Sequence, residues 1–163
     1  MAKEKTAKRK KKIIFVCTGN TCRSPMAEYL FRYILGKKRK LSLYDITSAG
    51  LCADEGAPMT DNAWEALTRL GVRSKRKHVA KQLTYEEAER ADGIVCMTAE
   101  HKAALAAFGE KVKTVGELTG GSDVPDPYGG DAQVYGKTAE YLLYACDDIF
   151  SWAERLGHVA PQR

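Results

Sequence analysis

The chain has 163 residues, 44% hydrophobic and 29% charged, enough for one domain to bury a core without disulfide or metal support. No apolar run approaches the roughly 20 residues of a membrane span, and the basic start Met1-Ala-Lys-Glu-Lys has no apolar stretch behind it, so no secretory signal is read and the expected location is the cytoplasm. Five cysteines (17, 22, 52, 96 and 146) without a C-x-x-C pair, and three scattered histidines, speak against a disulfide framework or a zinc site, so reduced thiols, no metal and no cofactor are expected.

The net charge of +5 is unevenly spread. Residues 1–12 carry seven Lys and Arg against Glu4, which gives this stretch +6 and the remainder −1. Such a run can touch nucleic acid or acidic lipid. With no aromatic interleaved and no binding motif beside it, residues 1–12 read as a disordered, solvated tail and 13–163 as a single domain, taken as a monomer.

Ile13-Ile-Phe-Val16 is a continuous β-rich apolar run, the pattern of a strand buried on both faces of a parallel sheet, and it ends at Cys17. Ser24-Pro25 reads as the cap and first turn of a helix carrying Ala27, Leu30, Phe31, Ile34 and Leu35, with Gly36 as its stop. A strand follows at 43–48, then a helix from Thr60 to Gly71, and the capping box Thr84-x-x-Glu87 opens a short helix. Ile94–Met97 reads as a third strand, 99–108 as a helix stopped by Gly109 and 112–115 as a fourth strand. A long last helix carries Tyr135, Ala139, Leu142, Cys146, Ile149, Ala153 and Leu156 on one face. Alternating strands and helices predict an α/β fold: one parallel sheet with helices on both faces.

Ligands of such sheets sit beyond the carboxyl ends of the strands, which places the pocket at Cys17. In Cys17-Thr-Gly-Asn-Thr-Cys-Arg23-Ser24 a thiol and an arginine stand six positions apart on a strand-to-helix loop. By spacing alone they are a buried strand-end thiol and an exposed helix-start charge. The strand, glycine and capped helix around them favour another reading, in which the N–H groups of 18–23 converge on an anion with the positive helix end behind it. Arg23 suits bidentate contact with phosphate oxygens, and the same field favours a nucleophilic thiolate at Cys17. Gly19 is expected to take an unusual backbone angle, Asn20 to hold the loop through side-chain bonds, and Ser24 to donate to the sulfur while capping the helix. The G-x-x-x-x-G-K-[ST] nucleotide loop is absent.

Asp123-Val-Pro-Asp126-Pro127-Tyr128-Gly-Gly130 lies between the last strand and the last helix, at the same end of the sheet. Pro127 keeps Asp126 extended, and a carboxylic acid there can protonate a poor leaving group. Alone, the segment is an ordinary Asp-Pro turn.

Together the two segments resemble the low-molecular-weight protein tyrosine phosphatase family, through Val16-Cys-Thr-Gly-Asn-Thr-Cys-Arg-Ser-Pro-Met-Ala-Glu28 and Asp126-Pro-Tyr-Gly-Gly130. The resemblance covers residues 13 to about 156 in the family's order. It implies a flavodoxin-like four-stranded parallel sheet, a phosphocysteine on Cys17, phosphate held by Thr18, Gly19, Asn20, Thr21, Cys22 and Arg23, and Asp126 as acid and then base. It also implies supporting roles for Asn20, Ser24 and Ser48, phosphorylated proteins as partners, and redox protection of Cys17 by Cys22. Tyrosine-directed members look like Cys-Leu-Gly-Asn-Ile-Cys-Arg-Ser, apolar where this chain has Thr21. The threonine variant looks like the bacterial protein arginine phosphatases. Many tyrosine-directed members also carry two aromatics after Asp-Pro, whereas here Gly129 follows Tyr128. Phosphoarginine is therefore the expected substrate and phosphotyrosine the alternative. Thiol-dependent arsenate reductases share the loop but need a downstream cysteine pair that is missing, and a non-catalytic phospho- or nucleic-acid-binding module is the distant alternative. His78 and His101 are read as surface or satisfied histidines.

Overall fold

The computed structural model describes residues 8–75 and 77–157. Four strands, β1 (Lys11–Cys17), β2 (Tyr44–Gly50), β3 (Gly93–Cys96) and β4 (Val112–Thr114), form one sheet in the order β2-β1-β3-β4, every pair parallel. The helices are α1 (Arg23–Lys37), α2 (Asp61–Arg69), α3 (Tyr85–Arg90), α4 (Ala99–Ala104), α5 (Val115–Thr119) and α6 (Ala132–Arg155).

The apolar run of β1 is continuous because its side chains leave alternately for two cores. Ile13 and Phe15 join Leu30 and Phe31 of α1, Leu67 of α2 and Leu142 and Ile149 of α6 on one face. Ile14 and Val16 join Ala88 of α3, Ile94 and Leu105 on the other. Val95 and Ile94 of β3 divide in the same way. The result is the three-layer, flavodoxin-like fold expected.

The chain leaves β1 for β2 on one side and returns to β3 on the other. Strand order therefore reverses at the carboxyl end of β1, the switch point where open α/β sheets place their ligand crevice.

Several boundaries differ from the sequence reading. β1 begins at Lys11, not Ile13, because Lys11 and Lys12 pair with Tyr44 and Asp45 of β2. The end of the basic stretch is docked: Arg9 pairs with the buried Asp92 at 2.9 Å, Lys12 N–H donates to the same carboxylate at 2.8 Å, and Lys11 Nζ donates to the Ala153 carbonyl at 2.7 Å. Residues 1–7 of the expected tail lie outside the described residues. α1 runs past Gly36 to Lys37, and Arg39 supplies the left-handed residue that follows (φ 56°). The helix expected over 99–108 ends at Ala104, and a 3-10 stretch, Ala106–Lys111, takes its place because Gly109 has φ 69°. A second capping box, Thr114 with Glu117, opens the short α5 directly after β4.

Candidate active site

Cys17 ends β1 and α1 begins at Arg23, so residues 18–22 close a tight arc between strand and helix. The amino end of α1 has no side-chain cap and no acidic residue in its first turn. Its first N–H groups, and the positive end of a 15-residue helix dipole, are left facing the loop. Ser24 is not the helix cap expected: it lies inside the first turn, and its hydroxyl is used by the loop instead.

That use can be followed proton by proton. Lys81 N–H donates to Asn20 Oδ1 at 3.1 Å, which fixes the orientation of the Asn20 amide. The two Nδ2 hydrogens then go to Ser24 Oγ at 2.8 Å and Ser48 Oγ at 3.0 Å. Both serine oxygens accept, which leaves each its own hydrogen to donate. Ser48 gives its hydrogen to Glu28 Oε1 at 2.7 Å, while Ser24 Oγ lies 2.9 Å from Cys17 Sγ and 3.5 Å from the Ala49 carbonyl. Asn20 N–H donates to the same sulfur at 3.3 Å.

The unusual backbone angle assigned to Gly19 belongs to Asn20, at φ 58°; Gly19 is not among the glycines of positive φ. Asn20 holds that angle because every polar group it has is engaged: its carbonyl also accepts from His78 Nε2 at 2.8 Å. The loop's other flank is closed by Gly50. A Cβ there would meet Thr18 O at 2.5 Å, Ala53 Cβ at 3.1 Å and Asn20 Cβ at 3.2 Å. Gly50→Ala is therefore expected to cost about 1–3 kcal/mol of stability and to lower turnover by displacing the loop. Chemical denaturation and hydrolysis of an aryl phosphate test both.

Arg23 is buried, and its Nη1 donates to the Val124 carbonyl at 3.1 Å. Its Nη2 stands 3.7 Å from Asp126 Oδ2. Asp126 keeps more than half of its side chain in solvent, and its Oδ1 accepts from Tyr128 N–H at 3.1 Å, a local bond that orients the carboxylate. Cys17, Thr18, Gly19, Asn20, Thr21, Cys22, Arg23, Asp126 and Tyr128 line one pocket of about 230 Å³. Tyr128 is 75% exposed at its edge. The structure thus brings both sequence segments to one place, with Ser24 and Ser48 behind the loop. Cys22 Sγ lies 3.3 Å from Tyr135 OH and 3.6 Å from Thr60 Oγ1. Burial, then the bond to Cys22, push the Tyr135 phenol up to about 12.

Three residues escaped sequence reading. Glu28 ends the Ser48 bond, and its signal was present: it lies one helical turn after Ser24. His78 reaches Asn20 from an irregular segment that shows no periodicity. His101, on the first turn of α4 beyond β3, puts Nε2 2.9 Å from Thr18 Oγ1. The strand-end rule that placed Cys17 applies to it equally.

Residues 12–158 match the family model described as low molecular weight phosphotyrosine protein phosphatase. Among curated proteins, the chain is 43% identical to a protein-arginine-phosphatase of Bacillus subtilis over 80% of this chain and 88% of that one. It is 36% identical to the low molecular weight protein-tyrosine-phosphatase PtpB of Staphylococcus haemolyticus over 82% and 93%. Among solved structures, a YwlE arginine phosphatase whose active-site cysteine is replaced by a phosphorylated serine superposes with TM-score 0.79 at 38% identity, covering 88% of this chain and 96% of that one.

Proposed function

The chain belongs to the low molecular weight phosphotyrosine protein phosphatase family, and we propose that it hydrolyses phosphoarginine on proteins through a phosphocysteine at Cys17. The sulfur, beside the Ser24 hydroxyl and the Asn20 N–H in a pocket that also contains Arg23 and Asp126, carries the reading.

The loop N–H groups and the Arg23 fork bind the phosphoryl oxygens. The Cys17 thiolate attacks phosphorus, the P–N bond breaks, and the Asp126 carboxylic acid gives its proton to the departing guanidine nitrogen. The Asp126 carboxylate then takes a proton from water as that water attacks the S–P bond. Phosphate leaves and the thiolate is restored. The open position of Asp126 suits a group that must meet both leaving group and water. We place this activity in the cytoplasm. Among the described residues no helix is long and apolar enough to cross a membrane.

Thr21 supports arginine over tyrosine. It lines the pocket, and among the described residues its hydroxyl has Cys22 Sγ at 3.8 Å as its one hydrogen-bond partner, leaving it available to a substrate N–H or to the attacking water. The exposed ring of Tyr128 favours the second reading, since it can stack on a phosphotyrosine. Parallel release of phosphate from phosphoarginine and phosphotyrosine peptides decides: a higher kcat/KM on phosphoarginine is expected, and the reverse order restores the tyrosine reading. Thr21→Ile should shift that ratio toward phosphotyrosine by about 1–3 kcal/mol, because it removes a hydroxyl and adds apolar surface. A ratio unmoved in a folded, aryl-phosphate-active variant would clear Thr21 of substrate selection.

A further inference from the structure

We infer that His101 is a positioning residue for substrate selection: it fixes the Thr18 hydroxyl at the edge of the pocket, ready to accept an N–H of a phosphorylated guanidine while donating to a phosphoryl oxygen. The inference rests on the phosphoarginine reading above.

His101 is 5% exposed, and among the described residues its buried Nδ1 has no hydrogen-bond partner. An orphaned buried ring nitrogen costs stability that an apolar residue of the same bulk would not. Among the described residues the ring's one hydrogen-bond partner is Thr18 Oγ1, at 2.9 Å. Thr18 directly follows Cys17, is exposed and lines the pocket. Its backbone is pinned as well, because its carbonyl accepts from Cys52 N–H at 2.9 Å. The neighbouring loop therefore fixes the main chain of Thr18 while His101 fixes its hydroxyl.

Placing the ring proton on Nε2 leaves a bare lone pair at Nδ1 instead of an orphaned N–H, the less costly arrangement. Thr18 Oγ1 then accepts from His101 and retains one lone pair and its own hydrogen. A phosphoguanidine offers N–H donors beside P–O acceptors and can use both. An aryl phosphate has no N–H and can use only one. Burial, and next the Arg23 guanidinium, hold the imidazole below its usual range against the opposing pull of Glu100, Asp123 and Asp126. A neutral ring at this place does not repel a guanidinium.

His101→Phe keeps the bulk and deletes both nitrogens. The ratio of kcat/KM on a phosphoarginine peptide to that on 4-nitrophenyl phosphate should fall about three- to tenfold, the worth of one neutral hydrogen bond, while Tm stays level or rises. A merely structural role predicts the opposite pair, with a lower Tm and both substrates slowed by the same factor. If His101→Phe does not accumulate, Thr18→Val deletes the other partner of the bond at nearly constant shape and should lower the same ratio. An unchanged ratio overturns the role of His101 if the wild-type chain hydrolyses both substrates. A wild-type chain active on the aryl phosphate but inert toward phosphoarginine overturns the substrate reading itself, and this inference with it.

Discussion

Cys17→Ser is expected to lose about 10⁴–10⁶-fold in turnover, the scale set by removal of a nucleophile, while still binding inorganic phosphate. The proposed anion site does not depend on the sulfur. It would be made by the loop N–H groups, the uncapped start of α1 and Arg23, whose position is set by its bond to the Val124 carbonyl. The Ser24 hydroxyl and Asn20 N–H, the two groups against the sulfur, can meet a serine oxygen there. A serine that captures the phosphoryl group should keep it, because an alkoxide leaves phosphorus far less readily than a thiolate. Intact-mass measurement would then show one added phosphoryl group. Phosphate binding can be read by titration against turnover of an aryl phosphate. Turnover within tenfold of wild type would remove Cys17 from the covalent role.

The fold and the loop were legible for one reason and parts of the site illegible for another. β1 could be read because both of its faces are buried, so local composition reports the tertiary environment directly. The loop between Cys17 and Arg23 could be read because strand, loop and helix are consecutive in sequence. Assigning the positive φ to Gly19 was reasonable from intrinsic preference, since glycine takes it without strain. It falls on Asn20 because Lys81, Ser24, Ser48 and His78, all but one distant in sequence, satisfy that residue only in this conformation. Ser24 was misread as a cap for the same kind of reason, because its hydroxyl is claimed by Cys17 and Asn20 across the loop. Reading residues 112–115 as strand hid the Thr114 capping box, although the equivalent box at Thr84 was recognised. His101 and His78 act through single long-range bonds, which leave no periodic trace.

Asp126→Asn is expected to slow hydrolysis of phosphorylated side chains by about 10²–10⁴-fold, the usual worth of general acid catalysis, and to slow 4-nitrophenyl phosphate much less. Asparagine is the informative replacement because the local geometry survives it. Its carbonyl oxygen can still accept from Tyr128 N–H, and Pro127 still holds the backbone extended. What disappears is the capacity to carry a proton and, in the ionised form, the negative charge 3.7 Å from Arg23. Losing that charge frees Arg23 for phosphate, so KM for every substrate should stay level or fall while kcat drops. An alkylguanidine leaves badly unless protonated, whereas 4-nitrophenolate leaves readily without help, so the deficit should grow steadily with leaving-group basicity. A series of aryl phosphates of graded leaving-group acidity measures this as a steeper dependence in the variant than in the wild type. The base role adds a second signature: hydrolysis of the phosphocysteine also slows, and because that step does not involve the departed group, its deficit should be the same for every substrate. Parallel lines for variant and wild type across the series would show that Asp126 moves no proton to the leaving group and serves the pocket only through its charge beside Arg23.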